Sequence, residues 1–394
     1  MITLDSAKGC TSGPELVERA ARVAQFYGFV PFEEAPRGEP SVLGQRSSKF
    51  DTKDILFARR DERLLVSAVK TCAINNLGDR RQPTLLWRLM PGERGVATAF
   101  ELHAIGIPDA IAEGLLIGVT DAIATELGIA KRVVHINSIG SLESSARFTR
   151  DLANFLRKYG DDMPPQMRER IHVDPITVAL SLADKGHPML SRAPVSMDYL
   201  NEEERHHFWD VLEYLERAET YYELNPLVLG SRDCWSHTLF QRSQVDESAG
   251  TCTLFARGGR YDPLCARGTG AGASAVSVSI QLDTTAPQKI KPTPAKPSLY
   301  FAHLGKEAKR HAIPALEILR RAQIPVYQSL IHDQIAPQML DAKRLAVPWI
   351  LVMGHKEAVE GTMLVRDVRM NAQDTVPLQE LSTYLKRRRI GSAA

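Results

Sequence analysis

Five consecutive residues carry the densest chemistry in the chain: Gly258, Gly259, Arg260, Tyr261 and Asp262. Paired glycines let a backbone come close to a ligand or adopt positive φ. The next three bring a bidentate cation, an aromatic hydroxyl and a carboxylate to one point. Apolar residues in Thr253–Leu264 lead into them. A glycine-rich run, Gly268–Ala275, leads out to Ala275–Leu282, whose alternation predicts a buried strand. Strand, glycine turn and strand would make a pocket floor. The same residues would equally make a plain β-hairpin. His206 and His207 are adjacent, so on a helix they point to different faces and do not share a metal. Cys10, Cys72, Cys234, Cys252 and Cys265 are scattered without metal spacing. They argue against structural zinc and for a reducing, cytoplasmic compartment.

The 394 residues predict two or three domains, and 44% hydrophobic with 24% charged content is that of a soluble globular chain. A net charge of +2 requires any nucleic-acid surface to be local. The basic stretch Lys386–Arg389 reads as a solvated helix end. No run of ~18 apolar residues predicts a membrane span, and MITLDSAKG has no apolar segment of a signal peptide.

Apolar spacing predicts a helix over Glu15–Tyr27, then a strand from Phe29. Ile55–Ala58, Leu64–Ala68 and Thr84–Leu89 read as strands. Ala110–Leu127, Ser144–Tyr159 and Asp198–Leu215 read as helices, with a strand over Ile129–Ile136. Thr284–Ser298 holds four prolines and three lysines and reads as an extended linker. Beyond it β and α segments alternate, which argues for a small α/β domain with a mixed sheet.

Gly258–Asp262 and the strand after it resemble the second histidine-specific motif of histidyl-tRNA synthetases. The resemblance continues along the chain. A helix, then Tyr27-Gly28-Phe29, then a strand reaching a proline resembles motif 1 of class II synthetases and implies a homodimer. His135–Ser141 matches a strand and turn of the family. Leu64–Cys72 lies where the family carries Arg-Pro-Glu-Gly-Thr. Thr71 matches, but Ser67, Ala68 and Val69 replace the Arg, Pro and Glu that would hold the amino-acid ammonium. Arg88 sits where motif 2 places an ATP-binding arginine, yet the loop expected after it is not recognisable in Leu89–Ile107. Asn225–Gln241 resembles the first histidine-specific motif through Leu227, Val228, Gly230, Thr238, Leu239 and Phe240. Leu229 stands at its catalytic arginine, Cys234-Trp235 at its tyrosine pair and Gln241 at its glutamate. Arg232 is close enough to take over the missing charge. Thr284 falls where motif 3 should end in an arginine.

The C-terminal segment resembles the anticodon-binding domain shared by histidyl-, threonyl-, prolyl- and glycyl-tRNA synthetases. Its RNA-binding candidates are His355, Lys356, Glu357, Arg366, Arg369 and Gln373, whose chemistry suits phosphates and base edges of single-stranded loops.

The resemblance implies a class II antiparallel sheet flanked by helices over residues 1–284, a linker at 285–298 and an anticodon-binding-type α/β domain over 299–394. Adenylate formation develops charge that fixed cations and magnesium must stabilise, and losing one such group costs ~10²–10³ in rate. With several missing, the expected function is a catalytically degenerate paralogue that binds tRNA or a related RNA. Thr71 and Gly258–Asp262 would line a residual ligand pocket, and no catalytic residue beyond Arg88 and Arg232 is a candidate. Two alternatives stand beside it. One is an active, divergent ligase acting on tRNA-His with ATP and magnesium. The other is a regulatory subunit with a protein partner, like the synthetase-like partner of ATP phosphoribosyltransferase.

Overall fold

A computed structural model describes residues 1–2, 12–35, 50, 52–75, 77, 83–91, 98–160, 163–248, 250–269, 273–284, 297–329 and 334–390. Most of the expected linker (285–296), residues 270–272 of the glycine run, 92–97 of the motif 2 loop and Cys10 lie outside the described residues.

An eight-stranded sheet forms the larger body. Its strands are β1 (Val30–Pro31), β2 (Thr84–Pro91), β3 (Thr98–Ile105), β4 (Arg132–Ser138), β5 (Tyr222–Leu224), β6 (Ser236–Asp246), β7 (Thr251–Arg260) and β8 (Ala275–Leu282). The spatial order is β1-β2-β3-β8-β7-β6-β4-β5. The six central strands are antiparallel, whereas the two edge pairs, β1 with β2 and β4 with β5, are parallel. The sheet is therefore mixed at its edges rather than antiparallel throughout.

Residues opposite one another in an antiparallel ladder share a face, so register sorts the sheet into two chemistries. One row runs Ile136, Phe240, Gly258, Val278, Leu102 and Trp87 across six strands. This apolar face is covered by helices Gly13–Phe26, Ile111–Glu126 and Glu202–Arg217, which share its core. The adjacent row, on the opposite face, runs His135, Gln241, Arg257, Ser279, Glu101 and Arg88.

Several elements differ from the sequence reading. Leu64–Ala68 is not a strand but the middle of a helix, Arg60–Ile74. Leu65, Ala68, Val69 and Cys72 recur at spacings of three and four and are buried, and Asp61 and Glu62 favour the helix N-terminus. Ile55–Ala58 forms no strand. β3 lies within Leu89–Ile107, the stretch in which the motif 2 loop is not recognisable from sequence. Gly258 and Gly259 make no turn. They lie inside β7, and a helix, Asp262–Thr269, separates β7 from β8. Their small size is required sterically: a Cβ at Gly258 would sit 2.3 Å from the Ser277 carbonyl oxygen, and one at Gly259 2.7 Å from that of Thr238.

The second sheet has the order β10-β9-β11-β12-β13: β9 is Leu299–His303, β10 Val326–Gln328, β11 Trp349–Met353, β12 Thr362–Asp367 and β13 Ala372–Pro377. Strand β13 and the short helix His355–Glu360 go beyond the expected pattern. Helix Gly305–Arg321 joins this sheet to the first. Ala308, Ala312, Ile313 and Leu316 enter the same core as Ile111–Glu126. Arg310 pairs with Asp210 at 3.0 Å, Arg320 with Glu126 at 2.9 Å, and the Tyr27 hydroxyl donates to Glu317 at 2.7 Å.

Parity along β7 sends Arg260 to the helix side. Its Nε and Nη2 donate to the two Glu113 oxygens at 2.8 and 2.6 Å, and both side chains are at most 1% exposed. Burial opposes the Glu113 charge, but Arg260 and His207 hold the carboxyl well below the usual range. Removing one partner of such a pair strands a charge in the core, at about 3–5 kcal/mol. Glu113→Ala should therefore lower the unfolding free energy from urea denaturation by that much or abolish folding. Glu113→Leu combined with Arg260→Met should recover most of the loss, as read by the same denaturation curve.

Candidate functional site

The polar face of the large sheet is where the chain collects titratable groups, and most of those in its rows are matched to another. Arg88 Nε donates to Glu101 at 2.7 Å, Nη1 to the Ser67 hydroxyl at 2.8 Å and Nη2 to the Leu64 carbonyl at 3.0 Å. Its guanidinium lies 5.1 Å from the Phe32 ring centroid. Burial works against the Glu101 charge, yet His103 and Arg88 outweigh it and hold the carboxyl below its ordinary value. His103 follows two residues along the same strand face. Its Nε2 lies 3.4 Å from Glu101 and its Nδ1 3.1 Å from the Tyr261 hydroxyl. A carboxylate only accepts, so Nε2 carries the proton and Nδ1 accepts from Tyr261. Burial lowers the His103 pKa, which keeps the ring neutral. The chain Tyr261–His103–Glu101–Arg88–Ser67 is thus closed on itself.

Beside it, Arg257 pairs with Asp61 of helix Arg60–Ile74 at 3.4 Å. That helix and the loop before β6 cover the face. Trp235 is held between two glycines: a Cβ at Gly230 would lie 2.4 Å from its ring and one at Gly259 3.1 Å. Its Nε1 donates to Glu62 Oε1 at 2.9 Å. The backbone N–H of Ser231 donates to the same oxygen at 2.9 Å, while Ala58 and Arg59 N–H groups donate to Oε2 at 2.6 and 3.2 Å. Glu62 is 1% exposed. Burial pushes its pKa up to about 7 despite these four donors. Two cavities remain against Arg257 and Trp235, each of about 10 Å³, room for a single water.

The expected site residues are therefore dispersed. Arg88 lies on the polar face, and its partner Glu101 was not identified from sequence. Gly258 and Arg260 belong to the helix side of the sheet. Gly259 seats Trp235. Tyr261 is buried and serves His103. Asp262 Oδ1 accepts from the Ala275 N–H at 2.7 Å, tying the helix start to β8. Thr71 donates its hydroxyl to the Ser67 carbonyl of its own helix at 3.0 Å. Arg232 is exposed, away from the sheet rows, and lines a separate groove. His206 and His207 diverge: His207 Nε2 meets Glu113 at 2.9 Å, whereas His206 is 64% exposed.

In the smaller sheet, Arg366 and Gln373 are cross-strand partners on β12 and β13, and Arg369 lies in the turn between those strands. His355, Lys356 and Glu357 begin a helix at the opposite end of β12. Four residue steps along the strand separate Thr362 from Arg366, about 13 Å, so the expected RNA-binding residues form two groups. Glu357 closes its own helix start by accepting from the Gly354 N–H at 2.9 Å.

An Anticodon binding domain family profile matches residues 300–388. Histidine–tRNA ligase of Thermosynechococcus vestitus is 29% identical over 283 residues, 71% of this chain and 66% of that protein. The Bacillus licheniformis enzyme of the same name is 27% identical over 338 residues, 81% of this chain and 79% of that protein. The matched region thus spans about two thirds to four fifths of these relatives. Apo histidyl-tRNA synthetase of S. aureus superposes with a TM-score of 0.50 at 19% identity, over 94% of this chain and 95% of that one. The fold is that of a class II aminoacyl-tRNA synthetase carrying a C-terminal anticodon-binding domain. Within that class, the relatives this chain is similar to are histidine–tRNA ligases.

Two measurements probe the packing of this site. Trp235→Ala should cost about 3–5 kcal/mol in chemical denaturation, because Gly230 and Gly259 cannot fill the space it leaves. At the edge of the site, His237 packs against His207 with ring centroids 5.2 Å apart. Burial, with the charges of His207 and Arg260, lowers its pKa to about 4. The unfolded chain protonates near pH 6.5 and the folded ring does not, so this contribution is lost as pH falls from 6.5 towards 4. His237→Asn, which accepts the positive φ of 50° at this position, should flatten that part of the stability–pH curve by up to about 3 kcal/mol.

Proposed function

We propose that this chain is a histidyl-tRNA synthetase-like protein that binds tRNA or a related RNA through its C-terminal domain and has lost adenylate formation. The observation that carries this reading is the internal neutralisation of the sheet arginines. Arg88 is matched by Glu101, Arg257 by Asp61 and Arg260 by Glu113. Stabilising a phosphate in flight needs cations aimed at the position of the developing charge, and these are spent. The residues present do not fit ATP with magnesium: the two cavities on the polar face hold about one water each, and Leu229 and Trp235 are among the residues lining the first.

On the C-terminal domain, Arg366 and Arg369 with Gln373 supply one exposed group and His355 with Lys356 another. Such a spread suits a looped single strand better than a point ligand. A cytoplasmic homodimer through the motif 1 segment completes the reading, since this segment carries the resemblance to the class II dimer interface. The name of the relatives favours a second reading, an active histidine–tRNA ligase acting on tRNA-His. That reading requires helix Arg60–Ile74 and Trp235 to leave the polar face before ATP enters.

Histidine-dependent ATP–pyrophosphate exchange should stay at background, while a gel shift with tRNA should show binding that weakens steeply with salt. Arg366→Ala and Arg369→Ala should each weaken it and lower the salt slope by about one. Exchange that disappears in Arg257→Ala would establish the ligase reading instead. Absence of both activities would turn attention to a protein partner.

A further inference from the structure

A roomier cavity than the two on the polar face lies away from the matched arginines. It is a groove of about 240 Å³ between helix Leu142–Lys158, the start of helix Pro175–Asp184 and the loop at Ser231–Arg232. None of its lining residues belongs to either sheet. Its floor is apolar, from Leu56, Ala153, Ile171 and Ile176, and its rim carries Arg150, Arg157 and Arg232 with His172.

The charges of this rim, unlike those of the polar face, are not cancelled. Arg232 makes no hydrogen bond or ion pair with the described residues. Arg150 is 70% exposed and only loosely paired with Asp151, at 3.6 Å. Arg157 donates to a neutral partner, Asn154 Oδ1, at 2.7 Å, and lies 3.4 Å from His172 Nδ1. The single carboxylate of the lining, Asp174, is committed elsewhere. It accepts the Thr177 N–H at 3.1 Å as a helix cap and pairs with Arg170 at 3.6 Å. Three arginines therefore face the groove with no free anion among the lining residues.

We propose that this groove binds one phosphorylated nucleotide unit, its phosphate on Arg150, Arg157 and Arg232 and its base on the apolar floor. Guanidinium groups match phosphate oxygens through paired N–H donors. A bare anion would leave the apolar floor uncovered. The volume lies just under the roughly 300 Å³ at which sites for drug-sized ligands begin, so it admits a mononucleotide and not a dinucleotide. The nucleotide could be free or the terminus of an RNA, since both present the same phosphate and base.

The test is calorimetric titration of the full chain with AMP, and with adenosine as the probe lacking phosphate. AMP should bind at least about tenfold more tightly than adenosine, and Arg232→Ala and Arg150→Ala should each weaken AMP about tenfold. Both side chains are exposed, so the variants should melt with the parent. As a second readout, AMP should shift the imidazole resonances of His172, assigned by its absence in His172→Gln. Competition by a short oligonucleotide with a terminal phosphate would identify an RNA end as the source, and its failure to compete would identify a free nucleotide. Equal binding of AMP and adenosine, full AMP affinity in the Arg150→Ala/Arg232→Ala variant, or unmoved His172 resonances with AMP bound would each overturn the proposal.

Discussion

The carboxylate of Glu62 ties together the parts that decide what this chain can do. One of its oxygens closes the start of helix Arg60–Ile74 through two backbone N–H groups. The other holds the Ser231 N–H and the Trp235 indole. A buried carboxylate with four donors is stable only while all four are in place. The helix cap, the loop before β6 and the indole on the sheet therefore form one unit. That unit lies over the polar face, and the glycines at 230 and 259 give the indole its seat. Whether the face is open or covered comes down to this one group.

The sheet beneath imposes the second constraint. Because side chains alternate, a polar row on one face requires the rows beside it to serve the other. Arg257 and Glu101 thus look away from the helices Ile111–Glu126 and Glu202–Arg217, while Arg260 looks into them and needs Glu113. Two arginines three residues apart on one strand end in opposite environments, each with its own carboxylate. An arginine kept as a buried ion pair stabilises the join between sheet and helix. Such an arginine is unavailable to a substrate phosphate, because moving it would strand Glu113.

The architecture was legible because it rests on repeated local patterns: the helix periods of Gly13–Phe26 and Glu202–Arg217, the alternation of Ala275–Leu282, and the β and α succession after residue 299. The order of motifs then pointed to a class II synthetase scaffold. The site was less legible, since its partners come from register. Glu101 lies thirteen positions from Arg88 in sequence, and only the β2–β3 ladder puts them side by side. A signal was present: Arg88 on one apolar strand and Glu101 with His103 at period two on the next. Glu113 was also visible, as the only charge in the apolar run Ile111–Thr120. Leu64–Ala68 misled because a short apolar run fits a strand or a buried helix equally, and the deciding features, Asp61 and Glu62, lie before it. The glycine pair misled for a related reason. Glycine is demanded by close approach as well as by turns, and here the neighbours are a carbonyl oxygen and an indole.

Charge placement separates the regions of the molecule more sharply than charge content does. A net charge of +2 hides three different uses of arginine. On the polar face and at the helix side Arg88, Arg257 and Arg260 each face a carboxylate of their own. At the seam between the two sheets, Arg310 and Arg320 face Asp210, Glu213, Glu126 and Glu317, which fixes the C-terminal domain against the core. Around the groove near Arg232 and on β12, arginines have neutral neighbours or exposed, loosely held ones. Desolvation explains the division. A buried guanidinium persists only with its counter-charge, whereas one at a rim keeps its water until a polyanion displaces it. The surfaces able to meet phosphate are thus those the fold has left unpaired, and they lie away from the sheet that the class II scaffold would use for chemistry.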